Sequence, residues 1–123
     1  MLAATVSANR FPGTVSALLA WVDGDTERLA ELVRGFCAEA PTLVSRLSLA
    51  VSTGNPQEVH RAAHSLYGAL IHFGVPQLLA MAATLEDLGG SNDLGPAAPL
   101  IDELEATLSR FCAYLAKKPW LHC

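Results

Sequence analysis

Residues 55–74, N-P-Q-E-V-H-R-A-A-H-S-L-Y-G-A-L-I-H-F-G, read as one helix with both ends written into it. Asn55 is a good N-cap, and Pro56 suits the first helical position, where a missing N–H is not needed. Gly74 supplies the stop, so the spacing predicts a helix from Pro56 to about Phe73. Val59, Ala62, Ala63, Leu66, Leu70 and Phe73 share one face, which must be the core side. At about 100° per residue, His64 falls about 140° and Gly68 about 180° away from Val59. The opposite face therefore carries Gln57, His60, Arg61, His64, Gly68 and Ile71, with Tyr67 at its edge.

Gly68 needs a reason, because Gly costs a helix interior about 1 kcal/mol relative to Ala. On the face away from the core it cannot serve packing inside the molecule. It is either a tolerated surface glycine or a gap one turn beyond His64 through which another protein approaches closely. Position alone does not separate these two readings. A single exposed apolar residue such as Ile71 is ordinary; beside His64 and Gly68 it suggests a docking surface.

The upstream segment opens on Asp25 as N-cap. Its apolar residues, from Leu29, Leu32, Val33 and Phe36 to Leu43, Leu47 and Val51, keep one helical phase across Pro41. The expectation is one helix from about 26 to 53, kinked rather than broken at the proline. Gly54 suits the position just past its end. Downstream, Pro76 opens a helix with Leu78, Leu79, Ala82 and Leu85 on its inner face, ended by the loop at 89–95. Another begins near Pro96 and carries Ala97, Leu100, Ile101, Leu104, Leu108, Phe111 and Leu115. A shorter amphipathic piece spans roughly Val15 to Val22. Four one-sided helices with short connections predict an all-α fold, an antiparallel four-helix bundle with a short additional N-terminal helix. Residues 1–123 read as a single domain, with the bundle at about 15–117 and tails at 1–14 and 118–123. Trp21 and Trp120 read as packing residues near the chain ends.

The chain has 123 residues, 51% hydrophobic and 16% charged, with formal net charge −4. Its pI of about 5.4 and lack of a basic stripe argue against nucleic-acid binding. Despite a mean hydropathy of +0.32, no apolar run approaches a membrane span, and the start lacks the pattern of a signal peptide. The three cysteines, Cys37, Cys112 and Cys123, are far apart and form no C-x-x-C pair. They are expected as free thiols, two of them on apolar faces, in a reducing cytoplasm.

Ala63, His64, Ser65, Leu66 and Gly68, followed by Gly74 and then Leu85 and Glu86, carry a resemblance. The pattern is similar to the A-H-S-L-K-G signature of histidine-containing phosphotransfer (HPt) domains of bacterial two-component phosphorelays. The helix before it resembles that family's first bundle helix, and the likeness covers about residues 15–117. It implies that His64 accepts a phosphoryl group from the aspartate of a receiver domain and passes it to another receiver. The docking and phosphate-proximal face would be Gln57, His60, Arg61, Tyr67, Gly68 and Ile71. The chain would be a phosphocarrier rather than an enzyme, cytoplasmic and monomeric, with receiver domains or a hybrid sensor kinase as partners. It would bind no cofactor, the Mg²⁺ belonging to the partner receiver.

The departure from the family is Tyr67, which stands where the family has Lys. A phenol donates only a neutral hydrogen bond, weaker than the charge-assisted bond of an ammonium. His60, one turn before His64, and Arg61 are the candidates to supply the missing charge.

Other readings are weaker. His60 and His64 at i, i+4, with His72 further on, could be metal ligands, but His72 lies about 80° around the helix from His64. No H-E-x-x-H pattern completes a site, so no metal is expected. Ser65 points about 100° from His64, which disfavours a Ser-His hydrolase. Tyr67 reads equally well as a boundary aromatic with a wet hydroxyl. Glu86 and Asp87 read as solvating their helix rather than as acid or base. The alternative function is a helical adaptor that binds a receiver domain without phosphotransfer.

Overall fold

The computed structural model describes residues 14–118, with side chains from Leu18 onward. Helices α1 (Thr14–Trp21), α2 (Thr26–Ser52), α3 (Pro56–Leu70), α4 (Pro76–Gly90) and α5 (Ala97–Ala116) follow one another, and no strand occurs among the described residues. The four long helices form a closed ring in which α2 packs on α3 and α5, and α4 packs on α3 and α5. Helix α1 leans on α2. The all-α bundle with a short N-terminal helix is thus the fold of the chain. Residues 1–13 and 119–123, including Trp120 and Cys123, lie outside the described residues.

The helix ends follow the expected chemistry. Asp25 caps α2 by accepting from the Arg28 N–H at 3.1 Å, and Asn55 caps α3 by accepting from the Glu58 N–H at 3.2 Å. Helix α2 runs unbroken through Pro41. Its C-terminus closes in a Schellman turn: the Asn55 N–H donates to Ala50 O at 2.8 Å and the Gly54 N–H to Val51 O at 3.1 Å. Gly54 sits at φ +65°, where any side chain would be strained. Asn55 thereby ends one helix and caps the next, so α2 and α3 are joined by residues 53–55 alone.

Every residue of the inner face read from the α3 sequence is buried: Val59, Ala62, Ala63, Leu66, Leu70 and Phe73. They meet Leu47 and Ala50 of α2, Leu78, Ala82 and Leu85 of α4, and Leu104, Leu108 and Phe111 of α5 in one core. Phe73 packs on Phe36 with ring centroids 4.7 Å apart, and on Phe111 edge-on at 5.5 Å. Arg46 of α2 reaches across to Glu58 of α3 at 3.0 Å.

Three expectations are corrected. Helix α3 stops at Leu70 rather than near Phe73, because residues 71–74 turn and carry Phe73 into the aromatic cluster. Helix α4 continues through Gly89 and Gly90, residues read as loop, and at Gly89 α3 lies so close that only a glycine fits. Cys37 and Cys112 are not free thiols: they form a disulfide between α2 and α5, with Cα atoms 5.9 Å apart. That bridge also removes the argument from free thiols for a reducing compartment. No helix among the described residues is long and apolar enough to cross a membrane.

Candidate functional site

Helix α3 buries one face and leaves the other open, and His64 stands in the middle of the open face. Its side chain is 73% exposed, yet it is not loose. Glu86 of α4 brings Oε2 to 2.9 Å from His64 Nδ1. A carboxylate oxygen accepts, so Nδ1 donates, and the neutral ring keeps its lone pair on Nε2. The carboxylate that fixes the ring is itself only 24% exposed.

His60, one turn earlier, lies against the same stretch of α4. Its Nδ1 donates to the main-chain oxygen of Glu86 at 3.0 Å, and its Nε2 lies 3.9 Å from Glu86 Oε2. The rings of His60 and His64 are nearly parallel, 12° apart in plane and 6.5 Å between centroids. One residue of α4 thus holds two histidines of α3.

The close pass of the two helices makes this possible. A Cβ on Gly89 would stand 2.5 Å from His60 N and 2.7 Å from Pro56 O. These are main-chain atoms that cannot swing aside. Gly89 therefore lets α4 approach α3 at the level of His60, and Glu86, one turn earlier on α4, arrives at His64.

The other residues of the expected face divide. Gln57, Arg61, Gly68 and Ile71 are exposed, and Ile71 is an exposed large apolar side chain. A Cβ on Gly68 would meet nothing within 4 Å, so this glycine is not required by the bundle. Tyr67 is half-buried against the core. Arg61 lies 3.9 Å from Glu58 on its own helix, so its charge is shared there. Ser65 borders a groove between α2 and α3 that Trp21, Phe36 and Phe73 also line.

The three histidines of the weighed metal site are not brought together, since His72 stacks on Trp21 with ring centroids 4.2 Å apart. Among the described residues, no group of three or more His, Cys, Asp or Glu is arranged to hold a metal ion. Trp21, read as a packing residue, is 41% exposed.

Glu86 belongs to the site, against its sequence reading as a residue that solvates its helix, whereas Asp87 does stay exposed. Two signals point to it: the Leu85–Glu86 pair in the resemblance, and its place one residue beyond core Leu85 at the margin of the inner face. Gly89 gave no signal beyond its residue type.

A family model described as Hpt domain matches residues 31–114 of the chain. No curated protein and no solved structure gives a match. The matched span contains α3, α4 and most of α2 and α5, and with them His64 and its carboxylate partner. The chain belongs to the Hpt domain family, whose members are histidine phosphocarriers of phosphorelays.

Proposed function

We propose that His64 is the phosphorylated residue of this carrier, taking a phosphoryl group from the aspartate of one receiver domain and delivering it to that of another. The observation that carries the reading is an exposed imidazole whose Nδ1 is engaged by Glu86, which leaves Nε2 as the nucleophile. The Nε2 lone pair forms the N–P bond as the P–O bond of the receiver's acyl phosphate breaks. The bonding pair leaves with the aspartate as a carboxylate. The ring keeps its proton on Nδ1 and becomes cationic, and the Glu86 carboxylate stabilises that charge. Delivery to the second receiver runs the same step backwards.

Phosphoryl transfer of this kind depends mostly on positioning and charge neutralisation. The exposed surface of Gln57, His60, Arg61, Gly68 and Ile71, with Tyr67 at its edge, is the docking face. Gly68 keeps bulk away from the imidazole as a receiver closes over it. The aspartate and the Mg²⁺ belong to the receiver, so the chain is a carrier whose chemistry a partner completes.

The test is phosphorylation by a phosphorylated receiver domain with Mg²⁺, comparing wild type with His64→Gln. Acid-labile label on wild type and none on the variant is the expected result. A wild type that binds the receiver but takes no label would instead be a helical adaptor without phosphotransfer.

A further inference from the structure

His60 is not needed to place His64, which Glu86 already holds, and it is not a core residue, since its side chain is 47% exposed. Its position nevertheless is fixed. The Nδ1 bond to Glu86 O anchors the ring to the last turns of α4, the negative end of that helix dipole. With Nδ1 committed as a donor, Nε2 faces the Glu86 carboxylate at 3.9 Å. A neutral ring would present a lone pair to that anion, whereas an imidazolium presents a second N–H.

Resting on the reading of His64 as the phosphocarrier, we propose that His60, as an imidazolium, is the positive charge that favours the phosphorylated state of this site. The charge count gives the sign. Phosphorylation places one positive charge on the ring and two negative charges on the phosphoryl group, a net gain of about one negative charge beside Glu86. A cation next to that cluster favours the phosphorylated form by offsetting the repulsion between the phosphoryl oxygens and the Glu86 carboxylate that holds the ring proton. The other candidates are weaker, since Tyr67 is neutral and Arg61 leans toward Glu58. Among the described residues, the titratable groups found against His60 are His64 on α3 and Glu86 on α4, while Glu58 and Arg61 of the same helix lie 3.9 Å from each other. Histidine changes charge between pH 5 and 8, so this device makes phosphoryl loading sensitive to pH, as a lysine in the same role would not.

The experiment measures phosphoryl transfer from one phosphorylated receiver to wild type, His60→Gln and His60→Lys across pH. The ratio of wild type to His60→Gln cancels the titration of the receiver. That ratio should be about three- to fivefold near pH 6, the size of a partly exposed charge interaction, and close to one near pH 8.5. His60→Lys should hold the high-loading behaviour at both pH values. A ratio that is flat with pH, or a lysine variant no better than glutamine at high pH, overturns the role of His60 while leaving His64 as carrier. Absence of label on wild type overturns both, and labelling that survives His64→Gln places the chemistry elsewhere.

Discussion

Glu86 Oε2 on α4 lies 2.9 Å from Nδ1 of His64 on α3, so an exposed imidazole is oriented by a neighbouring helix. Glu86→Gln keeps an acceptor of the same shape and loses the charge. Hydrogen bonds to charged groups exceed neutral ones by about 1 kcal/mol, so labelling should slow by about fivefold. Glu86→Ala should slow it further, with the helical signal of both variants unchanged. Wild-type rates in Glu86→Gln would mean that the carboxylate orients nothing that matters.

The two glycines on the α3–α4 side should behave oppositely. Gly89→Ala drives a methyl into the main chain of Pro56 and His60, and overpacking of this kind costs about 1–3 kcal/mol. Gly68→Ala meets open space in a helix interior and should stabilise by up to about 1 kcal/mol. Urea denaturation of both variants measures this. Equal midpoints would show that the close helix pass at Gly89 is not rigid.

A larger side chain at Gly68 separates folding from docking. Gly68→Gln should fold like wild type, since nothing in the bundle occupies that space, and yet transfer more slowly by blocking the receiver. Unchanged transfer kinetics would count against a docking role for this face.

The disulfide joins residues 75 apart in sequence and ties α2 to α5. Closing so long a loop in the unfolded chain stabilises typically by about 2–4 kcal/mol. The denaturation midpoint should fall when dithiothreitol is added, and Cys37→Ser/Cys112→Ser should match the reduced protein under either condition. A midpoint insensitive to reductant would show that the bridge contributes nothing.

Tyr67 offers a gain-of-function test. Its half-buried ring lies against the core, and a lysine stem can cover the same apolar surface while its ammonium reaches water. Tyr67→Lys should raise the yield or lifetime of phosphohistidine, measured by acid-labile label over time. No change would place residue 67 outside the reach of the phosphoryl group.

The fold was legible because its signals are local. Asp25, Asn55, Pro56 and Pro76 mark helix starts through their own backbone chemistry, and the six apolar residues from Val59 to Phe73 define one face by period alone. That same period turns His64 and Gly68 outward without reference to any tertiary contact. The errors fall where a neighbouring helix overrides local preference. Gly89 reads as a helix breaker until α3 is seen to require a residue without a side chain there. Cys37 and Cys112 read as separate thiols until α2 and α5 set their Cα atoms 5.9 Å apart.

Propensity, capping and periodicity belong to each segment alone, and they are enough to specify the four long helices, their inner faces and the exposure of His64. What His64 is bonded to depends on how α4 packs against α3. A carboxylate 22 residues away becomes a hydrogen-bond partner when two helices pack side by side, and no pattern within either helix encodes that distance. The pairing of His60 with the end of α4 and the bridge between Cys37 and Cys112 have the same origin.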